Sequence, residues 1–127
     1  MSGTAEPAEL LDVARRLCAS VQWSTTAWAT RAVALLVRQS VEMRLAQFWE
    51  VNAPGVALVS RRTQFLLLHD CLPSAAVSDA HAAWSQLSHA CHHRVFDLEP
   101  SLSQARQWID QAERFGIALR DANAPKR

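Results

Sequence analysis

The stretch from Thr25 to Val51 carries an apolar residue at every fourth position: Ala29, Val33, Val37, Val41, Leu45 and Trp49. In an α-helix a strict four-residue spacing drifts slowly around the axis. A row this long therefore offers apolar surface to several neighbours in turn. Its middle, Ala32 to Val37, has no polar side chain. Arg31, Arg38 and Glu42 mark the narrow face left for water, with Arg38 and Glu42 at the i,i+4 spacing of a favourable ion pair. The pattern predicts one unbroken rod, about 40 Å long at the α-helical rise, at the centre of a helical bundle.

The rest of the composition agrees with helices. Only 3 Gly in 127 residues, and long runs without Pro, disfavour a turn-rich β fold. A hydrophobic content of 50% against 20% charged residues is enough for a packed core in a single domain. The expected fold is all-α: four to five helices around the long central one, ordered over about residues 8–118 with frayed ends.

Before the rod, Leu10, Leu11, Val13, Ala14, Leu17, Cys18 and Val21 fall at helical spacings from Ala8 onward. Ser24, Thr25 and Thr26 offer its N-cap, and Trp23 a hydrophobic staple. Pro54 and Gly55 end it. A third helix is expected over Val56 to Leu72, although Phe65 to Leu68 alone also fits a buried strand. A fourth starts at Ser74 or Ser78 and reaches about His92, with Ala80, Ala83, Trp84, Leu87 and Cys91 as its stripe. The last opens with the capping box Ser101 to Gln104 and carries the cleanest stripe: Leu102, Ala105, Trp108, Ile109, Ala112, Phe115 and Leu119. It is expected to fray beyond Gly116. Trp28, Trp49, Trp84 and Trp108 all fall on apolar stripes and read as core.

Formal net charge is +1, which argues against a large phosphate-binding surface while leaving room for a local arginine cluster. The paired arginines Arg61-Arg62 and Arg15-Arg16 read first as solvated helix face. Met1 to Glu9 is mostly small and polar, unlike a signal peptide, and no apolar run approaches the roughly 20 residues that span a bilayer. A cytoplasmic protein without membrane partners is expected. Cys18, Cys71 and Cys91 are odd in number and lack disulfide-framework spacing, so reduced thiols are expected.

One stretch stands out for chemistry: His89-Ala-Cys91-His92-His93-Arg94. Imidazoles where a helix runs out complement its macrodipole and cap free carbonyls, which is the plainest reading. His89 and His93 also stand at the i,i+4 spacing at which two imidazoles share a metal, though they supply only two of the usual three or four ligands. Because imidazole titrates near neutrality, His89, His92 and His93 are candidate acid–base groups, with Arg94 beside them. Arg61, Arg62 and Arg94 are the candidate nucleic-acid contacts. No Gly-rich phosphate loop and no G-x-S-x-G motif is present, and no cofactor is expected.

The order of these features resembles the HEPN superfamily, small helical bundles of bacterial defence, toxin–antitoxin and RNA-processing systems. The resemblance rests on Thr30-Arg-Ala-Val-Ala-Leu-Leu-Val-Arg in the central helix, and on Ser88-His-Ala-Cys-His-His closing a later one. The connector Asp97-Leu-Glu-Pro-Ser101 then leads into the last helix. It covers about Trp28 to Phe115. Catalytic members carry an arginine, usually followed by a polar residue, and a histidine with four to six residues between, and cleave RNA as dimers. His92 or His93 matches that histidine, but Ser85, Gln86, Leu87 and Ser88 stand where the arginine belongs. Arg62, Thr63 and His69 satisfy the spacing one helix too early.

The resemblance therefore implies a non-catalytic, homodimeric accessory, regulatory or RNA-associated module in a bacterial system. Two alternatives stand beside it. One is a metal-independent ribonuclease using His92 or His93 with Arg94 or Arg62. The other is a metal-binding bundle built on His89 and His93.

Overall fold

The expected rod is α2, Thr26–Asn52, a single unbroken helix. The structure, a computed structural model, describes residues 5–20, 26–91 and 100–123. Ahead of α2 runs α1, Pro7–Ser20. Behind it come a 3₁₀ turn, Pro54–Leu58, and then α3, Arg61–Leu68, α4, Ser74–Cys91, and α5, Leu102–Asn123. Among the described residues there is no strand, so the fold is an all-α bundle.

The drifting apolar row does what its spacing implies. α2 packs against α1, α4, α5 and the 3₁₀ turn, and buries Ala29, Val33, Val37, Val41, Leu45 and Trp49. Thr30, Ala34, Ser40 and Phe48 are buried beside that row. Ser40 donates from its Oγ to the carbonyl of Pro7 at 3.0 Å, which ties the first turn of α1 to the middle of the rod.

The face left for water differs from the expected one. Arg31, Arg38 and Glu42 are only half-exposed, with Arg38 Nε 3.5 Å from Glu42 Oε1. Between Trp28 and Ser40 the exposed positions are Trp28, Leu35 and Gln39, on the side of α2 opposite Val33 and Val37. Trp28 is therefore not core; it is 56% exposed, whereas Trp49 and Trp108 are buried and Trp84 packs partly buried against the core. The chain around Trp23, Ser24 and Thr25, with its expected cap and staple, lies outside the described residues.

The third segment is also corrected. Val56 to Leu72 is not one helix, nor is Phe65 to Leu68 a strand. Val59 is extended at φ −91°, ψ 172°, and Ser60 at φ −62°, ψ 153°. Ser60 Oγ accepts from the Thr63 backbone N–H at 3.2 Å, so α3 starts afresh with its own cap. Only Gln64, Phe65 and Leu68 of α3 are buried, and Leu58 of the preceding turn is 89% exposed.

α4 takes the earlier of its two expected starts, at Ser74. α5 opens as expected, Ser101 Oγ accepting from the Gln104 backbone N–H at 3.0 Å. It does not fray at Gly116 but continues to Asn123, burying Leu119. Asn52 Nδ2 donates to Asn123 Oδ1 at 2.9 Å and fastens the ends of α2 and α5 together. Polar bonds also join α4 to its neighbours. Trp108 Nε1 donates to Gln86 Oε1 at 3.0 Å, Gln111 Nε2 to Asp79 Oδ1 at 3.0 Å, and Trp84 Nε1 to Glu42 Oε1 at 3.4 Å. Among the described residues no helix is long and apolar enough to cross a membrane.

Candidate functional site

The expected histidine corner is only partly within the described residues. His89 stands exposed in the last turn of α4, and Cys91 closes that helix half-buried. His92, His93 and Arg94, with the connector behind them, lie outside the described residues, and so does Phe96. Among the described residues no group of three or more His, Cys, Asp and Glu side chains is arranged to hold a metal.

The clearest convergence of chemistry-bearing groups is at the other end of α4, where it meets α3. Short as it is, α3 is positioned by the side chains it buries. Phe65 is fully buried, with ring centroids 5.5 Å from Trp84 and 5.9 Å from Phe115. Beside it Gln64 Nε2 donates to the carbonyl of Val59 at 2.9 Å, and its Oε1 accepts from Arg61 Nη1 at 3.0 Å. These bonds fix the N-terminal turn of α3 and turn Arg61 inward. Arg61 also lines a shallow groove with Gln39, Glu42 and Met43 of α2. Arg62, the next residue, is exposed.

At the far end of α3, His69 Nδ1 lies 3.1 Å from Ser74 Oγ, which bridges the C-cap of one helix to the first turn of the next. One further residue completes the group, and sequence reasoning missed it. His81 of α4 lies flat on Phe65, with ring centroids 5.0 Å apart and 4° between planes, and it is 6.2 Å from Trp84. Burial first, and then the positive charges of Arg62 and His69, hold its pKa below the ordinary imidazole value. The signal that could have found it is positional: Val77, His81, Trp84 and Ser88 form one row along α4, at the edge of the apolar stripe.

This arrangement can keep a neutral imidazole beside a cationic side chain near neutral pH, the chemistry needed to accept a proton next to a bound phosphate. Arg62 and His69 are the pair whose spacing fitted the HEPN pattern one helix early; α3 brings both within electrostatic reach of His81. The same stretch of chain, residues 58–67, exposes apolar side chains. Leu58, Val59, Leu66 and Leu67 are 89%, 43%, 55% and 38% exposed.

The cysteines stay apart, as expected of reduced thiols: Cys18 is buried, Cys71 exposed and Cys91 half-buried, none in a disulfide. Burial pushes the Cys18 thiol up, opposed by the charge of Arg106. Compared with protein-family models, curated proteins and solved structures, the chain has no significant match.

Proposed function

We propose that this chain is a non-catalytic, HEPN-like helical module of a bacterial RNA-associated system, acting as an accessory or regulatory partner through pairing of two copies. The observation that carries the reading is the outward face of residues 58–67. Leu58, Val59, Leu66 and Leu67 are exposed within one short stretch that also carries the exposed cation of Arg62. Such a cluster on a small protein marks an association surface more often than it marks chance. A two-fold contact would set the same apolar patch of each copy against the other. Light scattering across a concentration series tests this. The wild-type chain is expected to run as a dimer, and the Leu66→Glu, Leu67→Glu double variant as a folded monomer. A wild-type chain that stays monomeric at high concentration sinks the proposal.

A second reading is favoured by one specific observation, the stacking of His81 on Phe65 of α3, the helix that carries Arg62 and is capped by His69. In it the chain is a metal-independent ribonuclease. Arg62 holds the scissile phosphate while His81 and His69 move protons to and from the reacting oxygens. Incubation of pure protein with mixed RNA decides it, with His81→Asn and Arg62→Gln as controls. Cleavage that persists in both variants removes the assignment.

A further inference from the structure

Lined by none of the residues of the function just proposed, and independent of it, a groove with two halves runs between α1, α2 and α5. One half, about 250 Å³, is lined by Leu11, Asp12, Arg15, Glu113 and Ile117, among others. The other, about 300 Å³, is lined by Gln47, Phe48, Val51, Leu119 and Asn123. Arg44, Gly116 and Arg120 border both, so the halves meet along these three residues.

The charges in the groove are unevenly matched. Arg15 reaches both carboxylates, with Nη1 3.1 Å from Asp12 Oδ1 and Nη2 bonded to Glu113 Oε2. Arg44 and Arg120 take part in no hydrogen bond or ion pair among the described residues. Arg44 Nε is sealed from solvent with no acceptor. Two cations therefore stand at the junction of a polar half-groove and an apolar one.

Gly116 explains how Arg44 comes to lie there. A Cβ at this position would fall 2.7 Å from Arg44 Nε and 2.9 Å from its Cζ. The guanidinium rests directly on the backbone of α5, in space that any side chain would fill. Glycine is the poorest helix former after proline, and here it stands in the interior of a 22-residue helix. Its physical role is to admit the arginine.

We infer that this groove binds a small organic phosphate, a monoester whose oxyanion meets Arg44 and Arg120 and whose apolar body lies along Phe48, Val51 and Leu119. Two guanidinium groups without counter-ions match a group that carries nearly two negative charges near pH 7, which a single carboxylate does not. The planar fork of arginine suits phosphate oxygens in particular.

Calorimetric titration of the full chain with hexyl phosphate tests this, against inorganic phosphate and against sodium chloride at the same ionic strength. Hexyl phosphate is expected to bind once per chain and more tightly than inorganic phosphate. Arg120→Gln, an exposed position, is expected to weaken binding roughly tenfold or more. Gly116→Ala is expected to weaken it similarly by displacing Arg44, while circular dichroism and the melting temperature show the helix intact. Arg62→Gln should bind like the wild type, which separates this groove from the α3 corner. Heat no greater than that of chloride, or affinity unchanged in Arg120→Gln, overturns the site. Equal affinity for inorganic phosphate overturns the placement of the apolar body.

Discussion

The imidazole of His81 lies nearly parallel to the ring of Phe65, 4° between planes and 5.0 Å between centroids. Stacking on a fully buried ring places a titratable group at the margin of the core, where a charge is poorly solvated. The depressed pKa of His81 follows chiefly from that placement.

A pH dependence follows from the sign of the shift. The folded pKa is below the unfolded one, so the unfolded chain takes up the proton more readily. The stabilisation is complete above the ordinary imidazole value, about 6.5, and is lost as the pH falls from there through the folded pKa. Urea unfolding of wild type and His81→Phe near neutral and mildly acidic pH checks it. The midpoint of the variant is expected to fall less on acidification; equal falls would show that His81 carries no such linkage.

Phe65→Ala is expected to be severely destabilising, by about 3–5 kcal/mol, because the ring is fully buried between α3, α4 and α5 and leaves a cavity when truncated. Chemical denaturation measures the loss. In whatever folded protein remains, NMR titration should show the pKa of His81 moving back toward its ordinary value.

Gln64 is the buried polar fastening between α3 and the 3₁₀ turn. Gln64→Met keeps much of the volume but leaves the Val59 carbonyl without its donor. A cost of about 1–3 kcal/mol is expected, with faster amide exchange across residues 57–63. Exchange unchanged there would show that the side chain is not what holds the turn.

Trp28 is set apart from the buried indoles by its exposure. Trp28→Phe should lower the fraction of tryptophan fluorescence that acrylamide quenches and shift the remaining emission to shorter wavelength. Trp49→Phe should leave that fraction nearly unchanged.

Much of the architecture is legible in the sequence because apolar periodicity and burial obey the same geometry. The four-residue row of α2 and the stripe of α5 are long enough for this to hold, and both helices start where their pattern predicts, α5 running on past its expected end. The failures are local. α3 is too short for periodicity to speak, and the cap at Ser60 outweighs a leucine-rich pattern that reads as one longer helix. Leu58 and Leu66 look like core residues in sequence; among the described residues no element covers them. Trp28 reads as core in sequence because apolar spacing alone cannot tell which side of a helix has no partner among the described residues. At the candidate site, Arg62 and His69 were visible by their spacing. His81 was not, because its significance comes from a ring sixteen positions away that only the α3–α4 turn brings beneath it.

The brevity of α3 has a thermodynamic corollary. A helix of 8 residues does not hold its shape in water by itself. Its order is lent by Gln64, Phe65 and Leu68, the side chains it seats inside. The long helices pack chiefly on one another, so α3 is expected to open before the whole molecule does, at the cost of unseating Phe65 and Leu68. Any ligand gripping Arg62 or Leu66 must suppress that opening, and the amides of α3 then act as a gauge of occupancy readable without knowing the ligand's identity.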